Sequence, residues 1–290
     1  MTSSSSTRWP TFLGIGVPKA GSTWLHEVLS AHPRIWAPPD EREVHFFDRY
    51  YEKRGYSWYR KFFPDKDSSY RAVGEITPHY LYCKPERIAA LKSELPSIKR
   101  IILLLRNPVD RLHSHYWFRC RIDNLDISFR SFVENHPHRV EWGRYGTYLD
   151  RWLDRFDRSQ FLILTTEKDL VDVESTRRKL ATFLQVDPDA FPPDAGKSKE
   201  NSRHIPYFRA AYAWAVEVNR ELKRRDIYWP RTLARTLGVK NWFGKQEVND
   251  EMDPQLRKEL SNLYAEEVKK LEEMLDREFT EWDLSTTEVT

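Results

Sequence analysis

Three short stretches of the 290-residue sequence gather side chains that can do chemistry. The first is Gly16-Val-Pro-Lys19-Ala20-Gly21-Ser22-Thr23, set between an apolar run and a helix-like pattern. A glycine-framed turn that opens a helix points free amide N–H groups at a ligand. The helix dipole adds a positive field there, so an anion is the natural partner. Lys19 contributes a mobile cation, and Ser22 and Thr23 contribute hydroxyl donors. A purely structural turn needs the glycines but not Lys, Ser and Thr together. The second stretch runs from Arg106 through Asn-Pro-Val-Asp-Arg-Leu-His to Ser114. An arginine at a strand end pairs directionally with a phosphate dianion, and a serine two helical turns on can reach a ligand lying along the helix. The third is Glu41-Arg-Glu43-Val-His45-Phe-Phe-Asp48. In an extended segment alternate residues share a face, so Glu41, Glu43 and His45 present three titratable groups on one side.

The loop chemistry is not that of the common nucleotide motifs. A triphosphate loop of the G-x-x-x-x-G-K-[ST] kind has lysine directly after its second glycine. Here Ser22 holds that place, and Lys19 precedes Gly21 by two residues. The dinucleotide fingerprint G-x-G-x-x-G also fails, because Val17, Pro18 and Lys19 follow Gly14-Ile-Gly16.

The elements that position these groups share one plan: an apolar run, a short turn, then a helical pattern. TFLGIGV leads into STWLHEVLSAH, IKRIILLL leads into VDRLHSHYWFR, and FLILTTEKDL leads into VESTRRKLATFLQV. Runs that are apolar throughout suit strands buried on both faces, and their alternation with helices predicts a parallel sheet covered on both sides. The expected fold is therefore α/β, a P-loop-like three-layer domain with a central parallel sheet flanked by helices. At the second turn Asn107 is placed to cap a helix with Pro108 at its first position. Gly14 reads as close packing within the first strand.

Residues 1–290 read as a single domain, with a polar, disordered stretch at 1–10. The aromatic stretch 44–82, with Trp58, Tyr59, Phe62 and Phe63, reads as an insertion that shapes an acceptor pocket. An amphipathic helix is expected over 254–280. Composition agrees with a globular enzyme-sized domain: 40% hydrophobic and 14% aromatic residues exclude a disordered chain, and 17 prolines exclude a coiled coil. With 47 basic against 44 acidic residues there is no broad basic face for nucleic acid, only room for a local cationic pocket. The opening MTSSSSTRWP lacks a basic and apolar leader, the longest aliphatic run is strand-sized, and only two cysteines occur, neither in a C-x-x-C pair. A soluble, cytoplasmic protein with no membrane span follows as the expectation; a homo-oligomer is allowed.

Taken together, the first two motifs resemble those of the sulfotransferases that use 3′-phosphoadenosine-5′-phosphosulfate (PAPS). Gly16 to Leu25 looks like the family's 5′-phosphosulfate loop, which implies that Lys19, Ala20, Gly21, Ser22, Thr23 and Trp24 hold the phosphate and sulfonate. Arg106 and Ser114 match its 3′-phosphate motif. The segment around Glu-Val-His-Phe-Phe is similar to the heparan sulfate branch and to related bacterial sulfotransferases. The resemblance implies Glu43 as catalytic base, with His45 or Glu41 as the other candidates, and Lys19 as the cation that neutralises the leaving phosphate. Gly74-Glu-Ile-Thr-Pro-His-Tyr80 resembles a further family segment, but Ile76 stands where those enzymes carry lysine. Residues 197–206 resemble the loop that closes over PAPS, with Arg203 retained and Asn201 and Ser202 in place of Lys and Gly. These two missing lysines weaken the case for a polyanionic glycan acceptor.

The implied donor is PAPS, the product adenosine 3′,5′-bisphosphate, and the acceptor a hydroxyl or amine of a glycan, lipid or small molecule. No metal is expected: His113 and His115 sit at i and i+2, which point apart on a helix, and no third ligand joins them. Trp24 or an aromatic from a lid is the candidate for stacking on adenine. Two rival readings remain open, a nucleotide kinase or NTPase with a variant loop, and a non-catalytic adenine-nucleotide binder.

Overall fold

The run Phe12–Gly16 (β1) is buried along its whole length and forms the middle of a five-stranded sheet. In this computed structural model, which describes residues 8–65, 69–197, 204–205, 214–218, 221–222, 246–247 and 251–282, the sheet order is β2-β3-β1-β4-β5. The other strands are Ile35–Trp36 (β2), Ala72–Ile76 (β3), Arg100–Leu105 (β4) and Phe161–Thr165 (β5), and every pairing is parallel. Continuous apolar runs in β1, β4 and β5 thus became strands sealed on both faces, as expected for a parallel sheet.

Helices Ser22–Ala31 (α1), Tyr56–Arg60 (α2), Pro85–Glu94 (α3), Pro108–Asp123 (α4), Phe129–Asn135 (α5), Pro137–Glu141 (α6), Tyr145–Leu153 (α7), Thr166–Asp169 (α8), Val173–Leu184 (α9) and Pro254–Leu275 (α10) flank the sheet. His204–Ile205 (β6) and Gln246–Glu247 (β7) pair antiparallel apart from it. The expected three-layer α/β architecture is the one observed. Asn107 caps α4 as anticipated: its side chain accepts from the Val109 and Asp110 amides at 2.9 and 3.3 Å, and Pro108 takes the first helical turn.

Two boundaries differ from the sequence reading. The stretch 44–82 is only partly an insertion, because its last portion contains β3, inserted between β2 and β1. Its sequence, AVGEI, hides the strand behind a glycine and a glutamate, although all five residues are buried. The C-terminal helix ends at Leu275, where Asp276 turns left-handed and donates its N–H to the Glu272 carbonyl. Leu256, Leu260, Tyr264, Val268, Leu271 and Leu275 make its buried seam, and Glu267 accepts from Thr147 Oγ1 of α7 at 2.7 Å.

Close strand packing explains Gly14. It lies opposite Ile76 of β3, and a Cβ there would stand 2.8 Å from Ile76 Cγ1. Among the described residues no helix is long and apolar enough to cross a membrane.

Candidate active site

The loop after β1 turns on two left-handed residues, Lys19 with φ 77° and Gly21 with φ 107°. Gly21 is the residue before α1 and no side chain caps that helix end among the described residues, so the helix presents its first amides to a ligand. Those amides belong to Ser22, Thr23 and Trp24. The Ala20 amide is turned inward, donating to the Val17 carbonyl at 3.2 Å.

This loop meets the end of β4 directly. Arg106 Nη1 donates to the Lys19 carbonyl at 3.1 Å, and Thr166 Oγ1 ties the two loops by donating toward the Ala20 and Leu105 carbonyls at 2.7 and 3.0 Å. Thr166 carries no motif that would mark it in the sequence. Behind Arg106, Tyr145 Oη donates to its carbonyl at 3.0 Å, and Glu167 Oε1 accepts the Asn107 amide at 2.9 Å. Lys19 Nζ lies over the Phe118 ring, 4.5 Å from its centroid. Ser114 sits one turn before Phe118 on α4 and is partly exposed on the same helix face. Burial, then the charges of Arg121 and Arg106, push the Lys19 ammonium down to about 8. Glu43 acts in the other direction, so the third stretch lies within electrostatic reach of the first two.

The segment from Glu43 to Asp48 is bent rather than extended. His45 is left-handed (φ 56°, ψ 29°) and precedes a π-helical turn, Phe46–Tyr50. The bend sets its ring between two carboxylates: Nε2 is 3.1 Å from Glu43 Oε2, and Nδ1 is 2.8 Å from Asp48 Oδ2. A ring that serves carboxylates with both nitrogens must donate from both, which is the imidazolium form. Burial opposes that charge, but hydrogen bonds to Asp48 and Glu43 outweigh it and raise His45 to about 9. Burial likewise works to raise Glu43, yet the hydrogen bond and charge of His45, with His79 and Arg49, bring it down to about 2. Glu43 is therefore an ionised carboxylate held in orientation by His45, and Asp48 fixes His45 from behind. Glu41 is buried, and it is Glu43 that contacts the imidazole.

His79, which sequence reading passed over, joins this group. Its ring is 5.2 Å from that of His45 and 5.3 Å from Trp142, and burial with the nearby His45 charge lowers it to about 4. Donor atoms of Glu43, His45 and His79 all lie within 4.8 Å of one another, a spacing that could admit an ion. Both nitrogens of His45 already face carboxylates, however, so an ion would have to displace the Glu43 contact. His113 and His115 do not take part. His113 accepts from Trp117 Nε1 at 3.2 Å, and the ring of His115 lies 5.6 Å from Trp142.

The aromatics read as an acceptor pocket are mostly core. Trp58, Tyr59 and Phe63 are buried, Phe46 stacks on Tyr59 at 4.5 Å, and Trp58 meets Phe62 edge-on at 4.8 Å. Trp58 and Tyr59 pack against Phe46 and Phe47, which follow His45. Trp24 is buried as well, and its ring N–H donates to the Gly196 carbonyl at 2.8 Å, which makes it an anchor for the chain entering residue 197. Asn201, Ser202 and Arg203 lie outside the described residues.

A lysine-bearing loop at a helix N-terminus, an arginine at the adjacent strand end and a carboxylate–imidazole–carboxylate chain within electrostatic reach of them come together in this α/β domain. The chain matches the sulfotransferase domain family over residues 10–274 and belongs to that family. Human heparan sulfate glucosamine 3-O-sulfotransferase 6 is 34% identical over 187 residues, 61% of this chain and 52% of that protein. The membrane-associated sulfotransferase kil1 of Dictyostelium discoideum is 34% identical over 140 residues, 46% of this chain and 29% of that protein. The match thus spans about half the length of the first of these relatives, or less. A sulfotransferase crystal structure from Alicyclobacillus acidocaldarius superposes with a TM-score of 0.68 at 25% identity, covering 95% of this chain and 99% of that one.

Proposed function

We propose that this protein transfers a sulfuryl group from PAPS to a hydroxyl or amine of a glycan, lipid or small-molecule acceptor. The observation that carries the reading is the meeting of Lys19 and Arg106 with the Glu43–His45–Asp48 chain. The α1 amides and Lys19 hold the 5′-phosphosulfate, and Arg106 with Ser114 holds the 3′-phosphate. Glu43 accepts the acceptor's proton as its oxygen or nitrogen bonds to sulfur. The bond from sulfur to the bridging phosphate oxygen breaks in line, and Lys19 neutralises the charge left on that oxygen. Transfer needs no metal in this scheme. The printed names of the relatives make a glucosamine-containing glycan the first acceptor to try.

The rival kinase reading is tested by titrating adenosine 3′,5′-bisphosphate against ATP with Mg²⁺; preference for ATP overturns the proposal. Arg106→Ala is expected to weaken the bisphosphate by about 100-fold while changing 5′-AMP binding little, because only the former carries the 3′-phosphate. Equal losses for both would place Arg106 elsewhere. Binding should also be linked to protons. The free Lys19 ammonium sits at about 8, and an adjacent phosphate dianion favours its charged form and raises it further. The complex therefore takes up a proton near pH 8 to 9, and affinity falls as pH rises through that range. Calorimetry in two buffers of different ionisation enthalpy measures the uptake, and none at pH 8.5 would remove Lys19 from the anion.

A further inference from the structure

Glu75 is a carboxylate in the wrong place for a strand residue. It lies in β3 opposite Leu13 of β1, in the middle of the sheet, and is 0% exposed. Among the described residues its partners are all hydroxyls: Oε1 accepts from Tyr59 at 3.0 Å and Tyr80 at 2.6 Å, and Oε2 accepts from Thr77 at 2.6 Å. A hydroxyl has one proton to give, and Thr77 and Tyr80 give theirs to Glu75. Each therefore turns a lone pair toward the catalytic segment. Thr77 Oγ1 accepts the His45 amide at 3.2 Å, and Tyr80 Oη accepts the Phe46 amide at 2.9 Å. These two amides flank the left-handed bend, a backbone state disfavoured for any residue with a side chain and one that needs outside support.

We propose that Glu75 is the positioning residue of the catalytic segment: through Thr77 and Tyr80 it fixes the amides of His45 and Phe46, and through them the orientation of Glu43. Its catalytic importance rests on the reading of Glu43 as the base; its geometric part does not. A carboxylate is required because it alone accepts from every partner. Glutamine at this place donates from its amide nitrogen, so one hydroxyl must reverse and present its proton to a backbone N–H. Burial pushes the Glu75 carboxyl up to about 7 against the hydrogen bonds of Thr77, Tyr80 and Tyr59, so the all-acceptor carboxylate is the state above that pH, and the fold tolerates a neutral group there better than an exposed site would. Glutamine is accordingly expected to fold.

The test uses the full chain with Glu75→Gln, Thr77→Val and Thr77→Ser, read by amide hydrogen exchange and by NMR titration of the His45 ring. Glu75→Gln should speed exchange of the His45 and Phe46 amides at least tenfold, Thr77→Val that of His45, and both should move the His45 midpoint down from its value near 9 by a unit or more. Thr77→Ser, which keeps the hydroxyl, should restore wild-type behaviour. Affinity for adenosine 3′,5′-bisphosphate should stay within twofold of wild type throughout. Wild-type exchange and titration in both Glu75→Gln and Thr77→Val overturn the proposal. Failure of the wild type to bind the bisphosphate would overturn the sulfotransferase reading and leave these readouts intact.

Discussion

Lys19→Met should lower kcat by about a thousandfold while weakening adenosine 3′,5′-bisphosphate only about tenfold. Methionine keeps the length and the backbone strain of the left-handed loop residue but removes the charge. The asymmetry follows from where charge grows. Under the proposed function the amides of α1 share the charge of the bound 5′-phosphosulfate with Lys19, whereas the charge that grows on the bridging oxygen in the transition state is assigned to Lys19. Removing one such preorganised donor costs about 10²- to 10³-fold in kcat. Burial and two neighbouring guanidinium groups already make this ammonium costly to keep charged, so the site has been arranged to hold a cation that prefers a new anion. Stopped-flow turnover with saturating PAPS measures the loss; a Lys19→Met enzyme within tenfold of wild type would remove Lys19 from the chemistry.

Glu43→Gln should leave the bisphosphate affinity within twofold and lower kcat by about 10²- to 10⁴-fold, the usual range for a general base. With Glu43 at about 2, wild-type kcat should show no acid limb near the ordinary carboxylate value, because the base is ionised well below it. Loss of one of its two carboxylates should also bring the His45 midpoint below about 9, since the hydrogen bond that favours the imidazolium has gone. Retained turnover in Glu43→Gln with a shifted His45 would pass the role of base to Glu41 or His45.

How much of this was visible in the sequence depends on how local each signal is. Strands β1, β4 and β5 announce themselves as unbroken apolar runs, and Lys19, Arg106, Glu43 and His45 stand in contiguous motifs whose residues act within a few positions of one another. β3 is masked because the residue that would complete its apolar run is Glu75, whose burial only makes sense once Tyr59 of α2 and the Thr77–Tyr80 turn that follows the strand close over it. The aromatic residues Trp58 and Tyr59 were read as pocket wall because composition cannot tell which side of a segment a ring faces. The same limit hid His79, whose role depends on the His45 bend, and His45 itself was expected on an extended face with Glu43. The contact between them is real, but a left-handed turn makes it, and not the alternation of a strand.

The sheet order has a consequence for how such an enzyme can change. The groups assigned to the donor follow β1 and β4, which are neighbours, whereas Glu43, His45 and Asp48 lie in the connection between β2 and β3 on the other side of β1. The groups proposed to hold the donor and the proposed base thus reside on separate lengths of chain. Under the proposed function, exposed positions of the β2–β3 connection other than Glu43, His45 and Asp48 are the region to vary in directed evolution toward a new acceptor, with the β1 and β4 loops left untouched.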